Sequence, residues 1–374
     1  MNNVANNRGT PVEHKGISNT LGVFLDFSRF GAALVVLLIH ARDMWFPGLH
    51  HKSNMPGDIS HLAVVVFFVL SGFVIAFSVT INNRGAYSYA EARFSRIFSV
   101  LFPALIISGL IESYLYFYDK PLHGEFNRGY SILRYFLSLF FCNELWFSSL
   151  APPVNSPLWS LSFECWYYIL FGVVLFLRRY RYLTITIISL IIGPKILALF
   201  PVWLMGFYAF KFKKNIKESW WITVCLITIL IVVFRFLPPL PTGIGYYPFF
   251  MASQFLTDWL LGLIVSLIFL FFPNRNLKSI SEKTVKKIRM VADLTFAVYL
   301  LHYPCLVLFK SWYFQPTSLN FVLSILFSSI ISMGIGVFLE RNRYLYAILF
   351  KYLFSKYSVY FKSTDDQLSR QNIL

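Results

Sequence analysis

An arginine and a histidine lie inside one apolar segment near the start of the chain. The segment LGVFLDFSRFGAALVVLLIHARDMWF, residues 21–46, contains Arg29 and His40. On an α-helix, eleven steps of about 100° bring His40 to within about 20° of Arg29, about 16 Å away along the axis. Such side chains are costly inside a membrane and usually line a path or a site. Asp26 lies one turn before Arg29, and an Asp26–Arg29 pair that only locks the helix is the simpler alternative. That alternative fits Asp26 best and His40 least.

The composition is typical of a membrane protein. The chain has 374 residues, of which 57% are hydrophobic and 13% are charged, whereas soluble domains carry about 25% charged residues. The net charge of +16 comes from Lys and Arg in short connectors between apolar runs, as in cytoplasmic loops. We therefore predict an integral, multi-pass membrane protein with no nucleic-acid partner.

The cysteines argue against a metal site and a disulfide framework, and the first apolar segment argues against a removed signal peptide. Cys142, Cys165, Cys225 and Cys305 are far apart and have no CxxC spacing, so we predict neither a metal site nor a disulfide framework. The first apolar segment contains charged residues and has no small-residue cleavage site, so we predict a retained helix.

Apolar runs predict an all-α, polytopic bundle of about ten spans. The predicted spans are residues 21–42, 61–81, 96–117, 157–177, 183–199, 200–212, 220–237, 246–272, 291–313 and 319–340. The pair at 183–212 is the weakest, because each member is shorter than the about 20 residues that a span needs. Pro194 and Pro201 can break or kink that region.

A further apolar run, 130–147, offers a choice. If it crosses the membrane, the basic cluster at 178–181 lands opposite the other basic loops. If it is re-entrant or interfacial, all basic loops share the cytoplasm with both termini, and we adopt this interpretation. The predicted organisation is a cytoplasmic N-terminal segment (1–20), a transmembrane domain (21–345) and a cytoplasmic tail (346–374).

Two motifs contain residues that could bind a ligand. Arg93 and Arg96 form an R-x-x-R pair at the predicted cytoplasmic mouth of the third span. Two guanidinium forks suit phosphate oxygens, although a positive-inside anchor is the simpler interpretation. In FFVLSGF, Ser71 and Gly72 would permit close approach by a ligand or by another helix, and helix packing is the simpler account.

Two later motifs place polar side chains inside apolar helices. PLWSLSFECWYY opens the fourth span and contains Ser160 and Glu164 one turn apart. An acid there favours a site or a buried pair with an arginine. TFAVYLLHYP contains Tyr299 and His302 at three-residue spacing. That pair alone indicates packing and hydrogen bonding more than catalysis.

The order of these motifs along one chain is more specific than any of them alone. Arginine and histidine in the first span, FFVLSGF, RxxR, PLWSLSFE, YLLHYP and a closing Glu-Arg follow one another. This order resembles the acyltransferase 3 family, integral membrane enzymes that O-acylate extracytoplasmic glycans, over residues 21–345. Val65 and Cys165 stand where family members often carry an acid or amide and a second acid, which puts in doubt any role for a second carboxylate. The chain has no room for a fused hydrolase-like domain, so the resemblance is to the membrane-only type.

The resemblance implies an O-acetyltransferase of a bacterial inner membrane, with acetyl-CoA as donor, no metal, and an acceptor such as O-antigen, another lipopolysaccharide component or exopolysaccharide. His40 would be the general base or a transient acyl carrier. Arg29 would orient the donor or stabilise the developing oxyanion, and Glu164 would orient a histidine or hold an arginine. Donor binding would fall to Arg93, Arg96, Ser71 and Gly72. Supporting or substrate-binding residues would be Asp26, Ser160, Tyr299 and His302.

Two other functions share the predicted bundle. A transporter or flippase of a lipid-linked glycan would move substrate without acyl-CoA, and such proteins often have matched inverted halves, which this sequence does not pair convincingly. A non-catalytic scaffold for glycan assembly would leave the shared face of Arg29 and His40 unexplained.

Overall fold

The computed structural model of the protein describes residues 17–50, 59–82, 85–240, 249–275 and 281–355. Within those ranges the secondary structure is helical and contains no strand. The predicted all-α class is therefore confirmed.

Seven helices are long and apolar enough to cross a membrane. They are α1 (Asn19–Trp45), α3 (Ile59–Asn82), α4 (Ala86–Tyr118), α7 (Trp159–Phe176), α9 (Pro194–Lys213), α12 (Glu282–Trp312) and α13 (Ser318–Ser355). Three shorter apolar helices are α8 (Arg181–Ile192), α10 (Trp220–Phe236) and α11 (Phe255–Phe271). The remaining helices are α2 (Pro47–His50), α5 (Lys120–Phe126) and α6 (Ser131–Leu139). The protein is thus a multi-pass membrane protein, while a count of ten spans stays a prediction.

The break between the two weakest predicted spans lies earlier than expected. The predicted boundary at 199/200 is wrong, because α8 ends at Ile192 and α9 begins at Pro194. Gly193 separates them with φ +79°, a conformation that glycine adopts without steric cost. Pro194 then occupies the first turn of α9, where no backbone N–H is needed. Pro201 lies inside α9 without ending it.

The chain ends lie only partly within the described residues. Residues 1–16 of the predicted N-terminal segment fall outside them, as do residues 356–374 of the predicted tail. The first part of that tail, to Ser355, continues α13 as helix.

Several contacts gather the basic connectors at one end of the bundle, the end at which α1 begins. The Ser18 backbone N–H donates to Asn274 Oδ1 at 2.6 Å, which places the residues after α11 beside the start of α1. At the end of α9, Lys213 donates to three carbonyls at the end of α11. Tyr87 at the start of α4 donates to the carbonyl of Lys351 near the end of α13. We call this end the inner end, because the positive-inside pattern predicts that it is cytoplasmic.

The segment that contains α6 enters the bundle and returns beside α4. Ser131 at its start donates to Glu112, the Phe141 ring packs on Phe98, and Asn155 near its end donates to Ser108. Both ends of the segment therefore lie near the outer part of α4, with Phe141 deepest. These contacts favour the re-entrant interpretation of residues 130–147.

A buried ion pair fixes this re-entrant segment against α9. Lys195 Nζ lies 2.5 Å from Glu144 Oε2, and neither side chain is exposed. The ammonium also donates to the Ser148 carbonyl, and Ser149 donates to the same carboxylate. Breaking such a pair leaves an uncompensated buried charge. The pair therefore holds the segment to the first turn of α9.

Candidate active site

One cavity near the inner end gathers most of the side chains selected from the sequence. Helices α1, α3, α4, α7 and α12 contribute to it. Its lining includes Arg29, Ser71, Arg93, Arg96, Ser160, Glu164 and Tyr299, with Val64, Phe67, Ile97 and Leu161 among the apolar residues. We call it the inner cavity. Five widely separated motifs of the sequence thus meet in one place.

Three arginines give the inner cavity its charge. Arg29 comes from α1, and Arg93 and Arg96 come from the first third of α4. The Arg93 guanidinium lies over the rings of Tyr89 and Tyr168, at 5.9 and 6.0 Å from their centroids. Planar, delocalised cations of this kind bind the oxygens of phosphates in pairs. The cavity therefore suits an anionic ligand that carries phosphate groups.

Two carboxylates lie beside these arginines. Asp26 Oδ1 is 4.0 Å from the Arg29 guanidinium, and both side chains are mostly buried. Asp293 of α12 also interacts electrostatically with Arg29 and Arg96. The predicted Asp26–Arg29 pair is thus present as a long contact, and it leaves Arg29 in the lining of the cavity.

Glu164 accepts hydrogen bonds from two hydroxyl groups. Its Oε1 accepts from Ser71 Oγ at 2.7 Å and from the Tyr168 hydroxyl. Trp203 of α9 donates its indole N–H to Ser71 Oγ at 3.2 Å. Tyr168 was not among the residues selected from the sequence, although it lies one helical turn after Glu164, where side chains meet. The Trp203 contact joins residues 132 positions apart and leaves no local signal.

Gly72 faces away from the cavity that Ser71 lines. A Cβ atom built on Gly72 would overlap the carbonyl oxygen of Trp203 and lie 3.1 Å from the Phe207 N. Gly206 on α9 faces α3 in the same way, against the carbonyl of Val69. The structure thus places Gly72 in a backbone-to-backbone crossing of α3 and α9, which is the simpler of the two interpretations of FFVLSGF.

His40 does not line the inner cavity but pairs with His302. Nδ1 of His40 lies 2.9 Å from Nε2 of His302, and the two rings are nearly parallel, at 4°. Tyr303 packs edge-on against His40. The partners are 262 residues apart in sequence, so the spacing of residues could not reveal this pair.

Tyr299 connects the histidine pair to the inner cavity. Its hydroxyl lies 2.7 Å from Ser160 Oγ, within the lining of that cavity. Its backbone carbonyl accepts from His302 Nδ1 at 2.8 Å. One turn of α12 therefore contacts both the arginine-lined cavity and the histidine pair.

A second cavity lies on the other side of His40. His40 and Asp43 of α1 contribute to its wall. Other lining residues are Trp45, Glu125, Phe126, Ser156, Tyr303, Lys310 and Phe314. Lys310 pairs with Glu125 at 2.8 Å. We call this the outer cavity. Apart from His40, none of its residues was singled out from the sequence. Most of them lie in connectors or near helix ends, although Tyr303 belongs to the motif TFAVYLLHYP.

Helix α1 contributes to both cavities, at two different heights along its axis. Arg29 lines the inner cavity and His40 the outer one, and eleven residues of α-helix separate them by about 16 Å. Across the described ranges, no three His, Cys, Asp or Glu side chains come together as a metal site would require.

A comparison with family models identifies the family of the chain. The model described as an acyltransferase domain, of the acyltransferase 3 type, matches residues 23–341. A comparison with curated proteins found no match. A comparison with solved structures also found no match. Since the family model covers most of the chain and all the motifs named above, the protein belongs to the acyltransferase 3 family of membrane acyltransferases.

Proposed function

We propose that the protein transfers an acetyl group from acetyl-CoA, across a bacterial inner membrane, to a hydroxyl of an extracytoplasmic or lipid-linked glycan such as O-antigen or exopolysaccharide. The observation that carries this proposal is the placement of His40. His40 lines the outer cavity and pairs with His302, which contacts the turn of α12 whose Tyr299 lines the inner cavity with the three arginines. A donor and an acceptor that approach from opposite ends of the bundle would meet at this side chain.

The inner cavity would bind the donor. Arg93 and Arg96 would hold phosphates of the CoA moiety near the inner end, and the pantetheine arm would rise along α1 past Arg29. A donor of hydrogen bonds to the oxyanion must lie about 3 Å from it. Since Arg29 is about 16 Å from His40 along the helix, it orients the donor in this scheme and does not contact the reacting carbonyl.

His40 would act as the general base. Its Nε2 takes the proton of the acceptor hydroxyl while that oxygen attacks the thioester carbonyl carbon. The C–S bond then breaks, and the departing sulfur of CoA takes the proton back from Nε2. The products are an acetyl ester and free CoA. An imidazole suits both proton transfers, because its ordinary pKa lies near the working pH.

The outer cavity would bind the acceptor. Its wall combines aromatic rings, including Trp45 and Phe126, with the carboxylates of Asp43 and Glu125. Rings provide flat apolar surface, and carboxylates accept hydrogen bonds from hydroxyl groups. A sugar presents both kinds of surface, which fits this lining.

The proposal is tested on the surface glycan of the host. Mass spectrometry should show that deletion of the gene removes mass equal to acetyl groups, and that the wild-type chain restores it. Purified protein should bind acetyl-CoA. If the glycan mass is unchanged and acetyl-CoA does not bind, the acyltransferase proposal fails, and movement of a lipid-linked glycan becomes the function to measure.

Substitution of Arg96 by alanine tests the donor site. We expect the KM for acetyl-CoA to rise about 10- to 100-fold with a much smaller change in kcat, because hydrogen bonds to a charged group contribute about 1.5–3 kcal/mol. Steady-state kinetics on reconstituted protein measures both constants.

Arg341→Ala is the matched control for the Arg96 variant. Arg341 is an exposed basic residue of α13 and does not line the inner cavity, so its KM should stay at the wild-type value. Equal effects in the two variants would mean that Arg96 only anchors the helix at the membrane surface.

A further inference from the structure

The surroundings of His302 determine where its protons lie. The residue is fully buried. Its Nδ1 lies 3.1 Å from the carbonyl oxygen of Val298 and 2.8 Å from that of Tyr299. Carbonyl oxygens only accept hydrogen bonds, so Nδ1 of His302 carries a proton.

The backbone around His302 is held on both sides. Pro304 has no N–H, so the carbonyl of Leu300 loses its helical partner, and Asn155 Nδ2 donates to that carbonyl at 2.9 Å. On the neighbouring helix α13, Ser328 Oγ donates to the carbonyl of His302 at 3.0 Å. The turn that presents His302 is therefore fixed by the re-entrant segment and by α13.

The proton on Nδ1 of His302 determines which of the other ring nitrogens of the pair carry hydrogen. In a neutral His302, Nε2 then has a lone pair and accepts a hydrogen bond. Its partner at 2.9 Å, Nδ1 of His40, must be the donor. In a neutral imidazole only one nitrogen carries hydrogen, so the lone pair of His40 is on Nε2.

We infer that His302 is a positioning residue that fixes His40 in the Nδ1–H tautomer and leaves Nε2 as the free base. The inference rests on the proposed function for its role in the reaction, but the tautomer itself does not. When Nε2 of His40 takes the acceptor proton, the resulting imidazolium still donates Nδ1–H to His302. The hydrogen bond between the two rings thus persists in both protonation states of His40.

The tautomer is measured by ¹⁵N NMR of protein labelled at histidine nitrogens, at a pH above the ordinary histidine pKa of about 6.5. His40→Gln and His302→Gln assign the signals. We expect a protonated signal for Nδ1 of His40 and a lone-pair signal for Nε2. A protonated Nε2 in the wild-type protein would overturn the inference, whether or not the protein transfers acetyl groups.

Kinetics of two variants provide the second readout. His302→Leu removes the acceptor, and we expect kcat to fall about 10- to 100-fold with little change in the KM for acetyl-CoA, by analogy with the partners that orient metal-binding histidines. His302→Gln places an amide oxygen near the former Nε2, and we expect it to retain most of kcat. Wild-type kcat in a folded His302→Leu protein would contradict the role.

The matched control is His123→Gln, because His123 lies on α5 and lines neither cavity. Its kcat should equal that of the wild type. If the wild-type protein shows no transfer at all, the proposed function fails, while the NMR signals still decide the tautomer.

Discussion

Replacing His40 by glutamine is expected to lower kcat for acetyl transfer about 10²- to 10⁴-fold, the usual contribution of a general base. Glutamine keeps a neutral, polar side chain of similar length. It has no nitrogen that takes a proton near neutral pH. The KM for acetyl-CoA should change little, because the arginines that hold the donor lie in the other cavity. Transfer by reconstituted protein, with wild type and variant at equal amounts, measures the loss.

His123→Gln again serves as the control, since it makes the same chemical change outside both cavities. Binding of acetyl-CoA to the His40 variant should match the wild type, which shows that the bundle is intact. Near-normal kcat in the His40→Gln protein would remove His40 from the mechanism.

Replacing Gly72 by alanine is expected to destabilise the protein by about 3 kcal/mol, at the upper end for overpacking. The new methyl group would overlap the backbone carbonyl of Trp203, and a backbone atom cannot move aside as a flexible side chain can. The α3–α9 crossing would have to separate. Thermal unfolding of the purified protein in detergent measures the effect.

Gly334→Ala is the matched control, because a Cβ on Gly334 would meet nothing within 4 Å. Alanine there should stabilise α13 by up to about 1 kcal/mol. The same experiment separates the two interpretations of FFVLSGF. A Gly72→Ala protein with normal thermal stability and a raised KM for acetyl-CoA would favour donor approach over helix packing.

Local features of the sequence were enough to predict most helices. Apolar runs predicted membrane helices at the positions where α1, α3, α4 and α7 lie, because hydrophobicity over about 20 residues is a local property. The break between α8 and α9 was misplaced. Its signal is a glycine at positive φ followed by a proline, and Pro201 later in the run is an equally strong breaker by sequence alone.

The candidate site was predictable as a set of residues but not as a set of contacts. Arg29 and Glu164 were selected because charges are rare in apolar helices. Arg93 and Arg96 were selected because paired guanidinium groups suit phosphate oxygens, and the inner cavity gathers all four residues. Their hydrogen-bond partners follow from how distant helices pack. The two hydroxyls that donate to Glu164, those of Ser71 and Tyr168, were not among the partners expected for it.

The crossing of α3 and α9 restricts how this chain can evolve. Ser71 and Gly72 are neighbours on α3: the Ser71 side chain lines the cavity, and Gly72 lies against the backbone of α9. Insertion or deletion of one residue in α3 before Gly72 would put a residue with a larger side chain in place of Gly72 at the crossing. Substitutions in the other walls, at residues such as Ile97 and Leu161, can change the shape of the cavity without disturbing this crossing. The close crossing that Gly72 permits therefore also fixes the position of Ser71 in the cavity.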